Sequence, residues 1–210
     1  MEGKIIALEG SEGSGRTYHV SSLKTYLEEQ GYGVVTFGLG MSRLMGEPIS
    51  KKKRDIVFQR RTLFLAYVTD LADQIENEVK PMVKAGFLAI ADGYVSTLKA
   101  WGLARGLEEE WMNYVLSALP PANLSLGLVS SPREIMRRIL KKKGVLDPLS
   151  SGIDICINGE LFSSYETYLN TFQDYLRKVI QNGVIVDTSR NFEVVKSEIA
   201  TIVGDRIEKA

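Results

Sequence analysis

Short apolar runs alternate along the chain with longer stretches in which apolar residues recur every three or four positions. Continuous apolar runs bounded by turn residues are typical of strands buried on both faces, whereas the longer periodic stretches are typical of helices. The predicted strands cover residues 5–8, 34–37, 87–91, 124–129 and 184–186. The predicted helices cover residues 17–30, 56–84, 107–119, 132–142, 165–181 and 192–208.

Buried strands separated by helices predict a parallel sheet with helices on both faces, because parallel strands need crossover connections that cover the sheet. The chain has 210 residues, enough for one well-buried core, and no internal repeat divides it. We therefore predict a single α/β domain over residues 1–210, a three-layer sandwich around a five-stranded parallel sheet. Residues 38–53 and 144–159 lack a regular pattern, and we expect a lid around residues 133–160.

A glycine-rich segment follows the first predicted strand. It fits the phosphate-binding pattern G-x-x-x-x-G-K-[ST], except that arginine stands in the lysine position, and it reads Glu9-Gly10-Ser11-Glu12-Gly13-Ser14-Gly15-Arg16-Thr17. Glycines allow backbone N–H groups and the positive end of the next helix to converge on a phosphate. We predict a fold of the P-loop NTP hydrolase type, in which residues 10–17 bind ATP phosphates and the Thr17 hydroxyl binds Mg²⁺.

Further candidates lie at the carboxyl ends of the strands, where ligands of such sheets bind. The second strand leads into residues 37–43, which end at Arg43, and the third leads into Asp92-Gly93-Tyr94. A carboxylate beside a phosphate loop suits a magnesium ligand, so Asp92 is a candidate for metal binding and catalysis. The alternative for Asp92 is a helix cap or a turn residue.

Composition excludes several classes of function. Acidic and basic residues balance at 26 each with an isoelectric point near 6.6, so no nucleic-acid partner is expected. The single histidine and single cysteine exclude a histidine-rich metal site and an internal disulfide. We expect His19 on a helix surface and Cys156 among buried apolar residues. No apolar stretch is long enough for a membrane span, so we expect a cytoplasmic protein without a membrane partner.

Several segments, in order along the chain, resemble the thymidylate kinase family, P-loop enzymes that transfer a phosphoryl group from ATP to dTMP. The family's first motif resembles the loop together with Ala7-Leu8-Glu9, and its D-R-Y/H appears here as Asp92-Gly93-Tyr94. Its Y-x-x-S-x-x-A-[YF]-x-G run is similar to Tyr94-x-x-Thr97-x-x-Ala100-Trp101-Gly102. Its L-x-L strand and P-E-x-x-x-x-R lid helix resemble Leu126-x-Leu128 and Pro132-x-Glu134-x-x-x-Arg138.

Three positions depart from the family pattern. Arg16 replaces the loop lysine, Gly93 replaces the arginine of D-R-Y, and residues 36–41 replace a T-R-E-P-G-G segment whose arginine holds the monophosphate. The resemblance implies that these family cations neutralise charge on the phosphates. A chain with all three gaps unfilled would be a slow enzyme, since each lost cation raises the barrier.

Replacement cations are present in the sequence. Arg43 could reach the acceptor phosphate, and Arg133 and Arg137 share one face of the lid helix. A closing lid could deliver one of them to the phosphates. We therefore assign Arg16, Asp92 and Arg137 to catalysis and Arg133 to ATP binding. The alternative for this basic helix, which also carries Arg138 and residues 141–143, is a solvated cationic face.

The resemblance also implies an aromatic platform for the acceptor base, on the helix before the D-R-Y strand. Two alignments leave its identity open, one placing it at Tyr67 and the other at Phe64. Neither puts an arginine four residues later, where the family reads thymine. The resemblance implies further acceptor contacts from Glu12, Tyr94 and Thr97.

The family further implies ATP with Mg²⁺ as donor, a nucleoside monophosphate, foremost dTMP, as acceptor, and a homodimer. Two alternatives remain open. One is a catalytically weak paralogue that binds nucleotide for a regulatory role, and the other is a kinase with a different acceptor. An assay of ADP release across common monophosphates distinguishes all three.

Overall fold

The computed structural model describes residues 3–54, 59–146, 160–180 and 183–208. The strands are β1 (Ile5–Glu9), β2 (Val34–Gly38), β3 (Leu88–Asp92), β4 (Leu124–Val129) and β5 (Gly183–Asp187). The helices are α1 (Arg16–Glu29), α2 (Gly46–Arg54), α3 (Arg60–Gln74), α4 (Lys80–Lys84), α5 (Val95–Ala104), α6 (Glu109–Leu116), α7 (Pro132–Lys143), α8 (Leu161–Val179) and α9 (Phe192–Glu208). A π-helical segment, Ile75–Val79, joins α3 to α4.

All five strands are parallel and lie in the order β2-β3-β1-β4-β5. The first strand is central, with Ala7 opposite Ala91 of β3 on one side and Leu8 opposite Leu126 of β4 on the other. The carboxyl ends of the strands therefore meet at one edge of the sheet. The predicted five-stranded parallel sheet with helices on both faces is confirmed.

Each face of the sheet has its own apolar core, since successive side chains of a strand point to opposite faces. Ile5 and Ala7 pack into a cluster with buried residues of α3, α5 and α6. Ile6 and Leu8 pack with α1 and α9 on the other face. This arrangement makes the three layers of the sandwich.

A third apolar cluster lies beside the carboxyl edge of the sheet and positions α7 and α8. The buried side chains of α8 recur at helical spacing, so the helix presents one continuous stripe. That stripe packs against α5 and α7 and consists of Tyr165, Tyr168, Leu169, Phe172 and Leu176. Several of its aromatic rings also border the candidate active site.

Two helices were not predicted from the sequence. Helix α5 has buried side chains on all sides, so its sequence lacks the alternation of apolar and polar positions by which a helix is recognised. Helix α2 occupies residues expected to be irregular. The predicted helix over residues 56–84 is divided at the π segment, just before Pro81, which has no amide hydrogen to continue an α-helical ladder.

Part of the expected lid and the expected position of Cys156 lie outside the described residues. Helix α7 begins the lid region, and residues 147–159 fall in the gap that follows it. No helix within the described ranges combines the length and apolarity needed to cross a membrane.

Candidate active site

The phosphate loop connects β1 to α1 and packs directly on α7. Gly13 adopts a left-handed backbone with φ of +77°, and a Cβ atom there would lie 2.9 Å from side-chain carbons of Ile135 and Ile139. Only glycine fits this position. The loop ends at Gly15, which precedes the first turn of α1 and makes no side-chain cap. The amide groups of that first turn are therefore available to an anion.

The phosphate loop contains two buried serine hydroxyls. The hydroxyls of Ser11 and Ser14 are buried and have no hydrogen-bond partner within the described part of the chain. The Oγ1 hydroxyl of Thr188, which follows β5, donates a hydrogen bond to the Ser14 carbonyl over 2.9 Å. This bond ties the phosphate loop to the end of β5. Unsatisfied buried hydroxyls in a rigidly held loop are the groups that a bound phosphate would pair with.

Thr17 and Asp92 form the candidate metal site. The Thr17 hydroxyl donates to Oδ2 of Asp92 over 2.6 Å, at the point where α1 begins and β3 ends. An oxygen-only pair of this kind fits Mg²⁺, which is typically bound through one or two protein oxygens with waters and substrate phosphates completing an octahedron. In the described ranges no three His, Cys, Asp or Glu side chains group around a possible metal position. Nucleotide and water would therefore supply the remaining ligands.

Arg16 lies against the same carboxylate. Its Nε is 3.4 Å from Oδ1 of Asp92, and the exposed fractions of the two side chains are 18% and 15%. Nη1 of Arg16 is buried and finds no hydrogen-bond partner in residues 3–54, 59–146, 160–180 or 183–208. The partly exposed guanidinium of Arg16 therefore places a positive charge beside the phosphate loop, where it can attract an anion.

Two clefts meet at the phosphate loop. The first, here called the loop cleft, has a volume of about 400 Å³ and lies between residues 11–18 and one face of α7. The second, the aromatic cleft, has a volume of about 220 Å³ and lies between α3, α5 and α8. Four residues line both clefts: Ser11, Glu12, Arg16 and Ile139.

Among the lid-helix arginines, Arg138 faces the loop cleft. Its guanidinium donates to the Thr188 carbonyl over 2.5 Å and to Oε1 of Glu134 over 2.9 Å. Arg137 is exposed instead and makes a bidentate pair with Glu134, whose pKa falls to about 2 chiefly through the Arg137 hydrogen bonds. Arg133 lines neither cleft. Of the three arginines, only Arg138 therefore lines a described cleft, and the catalytic role of Arg137 and the ATP-binding role of Arg133 stay predictions that depend on closure of the lid.

The loop cleft is strongly cationic. Arg16 and Arg138 line it together with the lysines at 141–143. Lys143 forms an ion pair with Glu12 across the opening, so the end of α7 contacts the phosphate loop. Triphosphate groups, with several negative charges, match this lining in sign.

An arginine sandwich forms one wall of the aromatic cleft. The guanidinium of Arg105 lies 4.3 Å from the ring centroid of Trp101 and 4.6 Å from that of Tyr168. Nη1 of Arg105 also donates to the Tyr168 hydroxyl over 2.8 Å, and the residue is only 3% exposed. Tyr67 lines the same cleft from α3. Arg105 could not be placed from the sequence, because it directly follows α5, a helix that the sequence pattern did not predict.

The other expected acceptor contacts lie elsewhere. Phe64 is fully buried in the core, with its ring 5.3 Å from that of Trp111. Tyr94 is also fully buried, and its hydroxyl donates to the Pro120 carbonyl; burial and the nearby Glu9 carboxylate raise the pKa of Tyr94. The Arg43 side chain is 94% exposed and lines neither cleft. Of the two alignments, the structure places the Tyr67 alternative at a cleft.

A buried carboxylate that was not predicted joins β1 to α5. Glu9 accepts hydrogen bonds from the backbone amides of Tyr94, Ser96 and Thr97, over 2.9, 3.1 and 2.9 Å. The Glu9 carboxylate, at the end of β1, therefore caps the amino end of α5. Its sequence signals are its place immediately before the loop glycine and its membership of the Ala7-Leu8-Glu9 segment, which resembles the family's first motif.

Asp70 shapes the loop after β2. Its buried carboxylate accepts from the Gly40 amide over 2.7 Å and from the Ser42 amide over 3.0 Å. Burial raises the pKa of Asp70 even though these hydrogen bonds oppose the shift. Gln74, one turn later, bonds the Gly38 amide and carbonyl. An acid and an amide four residues apart on an apolar helix face could have signalled this role.

His19 is buried rather than exposed, which corrects the expectation of a surface position. It is 4% exposed and stacks on Phe192 with ring centroids 4.9 Å apart. Burial, with a smaller contribution from the Arg138 charge, lowers the pKa of His19 below its ordinary value. The histidine therefore packs α1 against the start of α9 as a neutral ring.

Comparison with known proteins agrees with this geometry. The chain matches the thymidylate kinase family model over residues 8–199 and belongs to that family. It is 28% identical to a probable thymidylate kinase 2 of Saccharolobus solfataricus and 26% identical to a thymidylate kinase of Caldicellulosiruptor saccharolyticus, each over 100% of both chains. It is also 29% identical to a probable thymidylate kinase of Pyrococcus abyssi over 66% of this chain and 70% of that one.

Family membership confirms the reaction class expected from the sequence. The protein is a phosphotransferase of the kinase type, and the reaction is ATP-dependent phosphoryl transfer to a nucleoside monophosphate, with dTMP as the acceptor of the family. Which side chains of this chain carry the reaction depends on the geometry of the two clefts.

Proposed function

We propose that this chain phosphorylates dTMP with ATP in the loop cleft and the monophosphate in the aromatic cleft. The observation that carries the assignment is the wall common to both clefts, which Ser11, Glu12 and Arg16 line from either side. Reactants held in the two clefts would meet there. Positioning two reactants side by side is the main task of an enzyme that transfers a phosphoryl group directly.

The donor side is built for a triphosphate. The amides of residues 13–17 and the positive end of α1 would hold the phosphate oxygens, and the Ser11 and Ser14 hydroxyls would pair with them. Arg138 and the lysines of α7 add positive charge over the same cleft. Thr17 and Asp92 would hold Mg²⁺, which when bound neutralises charge on the donor phosphates.

The acceptor side offers aromatic surface and one buried cation. Tyr67 and Trp101 can stack on the flat base of the acceptor. Arg105, held between the rings of Trp101 and Tyr168, can donate hydrogen bonds to the oxygen atoms of that base. Thr97 lines the cleft beside the phosphate loop. This arrangement supplies the base-binding arginine that residues 64–71 of the sequence lack, but from the end of α5 rather than from α3.

The reaction needs no covalent intermediate. An oxygen of the acceptor phosphate attacks the γ-phosphorus of ATP, while the bond from that phosphorus to the bridging oxygen of ADP breaks in line. The side chains contribute by position and charge, since Arg16 and Arg138 surround the place where negative charge is transferred. We further propose a cytoplasmic homodimer, which a sizing measurement checks.

A coupled assay of ADP release tests the proposed function. The wild-type chain is incubated with ATP, Mg²⁺ and each common nucleoside monophosphate at several temperatures. We expect turnover with dTMP and a loss on the order of 100-fold or more in kcat for Arg16→Ala. No turnover with any monophosphate, together with nucleotide binding by calorimetry, would instead identify the regulatory paralogue. Turnover with another monophosphate but not with dTMP would identify a kinase with a different acceptor.

A further inference from the structure

The guanidinium of Arg16 occupies the place of the missing side chain at position 93. Gly93 has a left-handed backbone with φ of +78°, and a Cβ atom there would lie 2.0 Å from Nη1 of Arg16. Atoms without a bond never approach so closely, so any side chain at 93 displaces this guanidinium. A second neighbour, Leu39, would lie 3.0 Å from the same Cβ and closes the space from the other side.

Among the described residues, the guanidinium of Arg16 has one ionic partner, and it borders two clefts. Nε of Arg16 lies against Asp92, and Nη1 points into a buried place with no partner among the described residues. The side chain also lines both the loop cleft and the aromatic cleft. It is therefore a cation in the wall between the two proposed nucleotide positions.

We propose that Arg16 and Gly93 work as one unit, in which the absent side chain at 93 admits the Arg16 guanidinium to the wall between the clefts. There it binds phosphate oxygens of both nucleotides. A guanidinium presents five N–H donors in a planar fork and can contact two anions at once, whereas a lysine presents one compact charge. The inference rests on the proposed assignment of the two clefts.

Two sequence features that looked like separate losses then become a single change. The cation missing at position 93 is supplied from position 16, and the glycine at 93 is the condition that makes room for it. Gly93→Arg alone should therefore harm the enzyme, although it restores the residue of the family motif. The two side chains would compete for one place.

A double-mutant cycle tests the unit. The four proteins are wild type, Arg16→Lys, Gly93→Arg and the variant that carries both changes. We expect each single change to lower kcat on the order of 100-fold, and the pair to recover to within about tenfold of wild type. If the loss in the double variant equals the product of the two single losses, the positions act independently and the proposal is overturned.

Substitution of a glycine with left-handed backbone also strains the chain, and a matched control separates that effect. Gly31 has a similar φ of +87°, and no described atom lies within 4 Å of a Cβ added there. Gly93→Ala should lower kcat and weaken the binding of both ADP and dTMP, whereas Gly31→Ala should leave all three unchanged. Equal effects of the two alanines would show that strain alone is responsible. Thermal unfolding verifies that each protein is folded.

The same proteins separate failure of this inference from failure of the proposed function. A wild type without turnover refutes kinase activity, and the cycle is then measured as the affinity for ADP and for dTMP by calorimetry. Both affinities should fall in each single variant and recover in the pair. Additive losses of affinity would overturn the unit even in a protein that only binds nucleotides.

Discussion

The hydroxyl of Thr97 donates a hydrogen bond to Oε2 of Glu9 over 2.5 Å and accepts one from the Gly10 amide over 3.0 Å. The last residue of β1, the first residue of the phosphate loop and the first turn of α5 are thereby joined in one buried network. Thr97 was expected to contact the acceptor, and it does line the aromatic cleft. Its hydroxyl, however, is already used within the protein.

Thr97→Val should destabilise the fold and Thr97→Ser should not. Valine keeps the volume but leaves the Gly10 amide without its partner and removes one donor to Glu9, at a cost of about 1–3 kcal/mol. Serine retains both hydrogen bonds. Urea unfolding of the three proteins measures the difference, and equal stability of the valine variant would show that the network contributes little.

Arg138→Gln should impair transfer far more than Arg137→Gln. Arg138 lines the loop cleft, so its loss should lower kcat by roughly 10²–10³. Among the described residues Arg137 makes an exposed pair with Glu134, and its loss should change kcat by no more than about twofold. Steady-state kinetics of both variants decide the matter, and the opposite order would return the catalytic role to Arg137.

Tyr67→Ala and Phe64→Ala should separate acceptor binding from stability. Loss of a stacking ring at 67 removes about 1–3 kcal/mol of base binding and should raise KM for dTMP, with KM for ATP unchanged. Loss of the buried ring at 64 should instead cost about 3–5 kcal/mol of stability. Kinetics at a temperature where both are folded, combined with thermal unfolding, test this. A raised KM for dTMP in the folded Phe64 variant would favour the other alignment.

Thr17→Val should raise the Mg²⁺ concentration needed for half-maximal activity by at least about tenfold, because it removes the oxygen that we propose as a metal ligand. Thr25→Val is the matched control on the same helix, since the Thr25 hydroxyl bonds only the Ser21 carbonyl among the described groups. Mg²⁺ titration of the activity of both variants gives the comparison. An equal shift in the two would remove Thr17 from the proposed metal site.

Stability should fall as pH drops through 6.5, the ordinary pKa of histidine, and His19 should be the cause. Its pKa is lowered in the folded state by burial and by Arg138, so below 6.5 the unfolded chain binds more protons than the folded one. The stabilisation is complete above 6.5 and is lost toward lower pH. Chemical unfolding between pH 5 and 8 should show this slope in wild type and a flatter one in His19→Gln, a result that an unchanged slope would contradict.

The strands could be predicted because the central ones are buried on both faces. All five predicted strands match the observed bounds to within one residue at either end, since no charged side chain interrupts their apolar runs. Burial also explains why helix α5 was missed: a helix buried all around lacks the polar face that marks helical period. Arg105 lies just beyond it and was missed with it.

The phosphate loop could be identified from its motif, and the surrounding side chains could not. Which of Arg133, Arg137 and Arg138 faces the cleft depends on the rotation of α7, which is set by the packing of Ile135 and Ile139 on the loop. Sequence spacing shows which arginines share a face but not where that face points. The Arg16–Gly93 contact is likewise invisible in the sequence, because it joins the first residue of α1 to the turn after β3, 77 positions further along the chain.

The contact of Gly13 with Ile135 and Ile139 has a consequence for how related chains are compared. Two homologues with identical glycine-rich motifs can still differ in nucleotide affinity, because a smaller side chain at 135 or 139 leaves the loop unsupported and a larger one pushes it out of shape. A match to the glycine-rich motif does not reveal such a change. Differences in nucleotide affinity between relatives should therefore be sought at these two helix positions as well as in the loop itself.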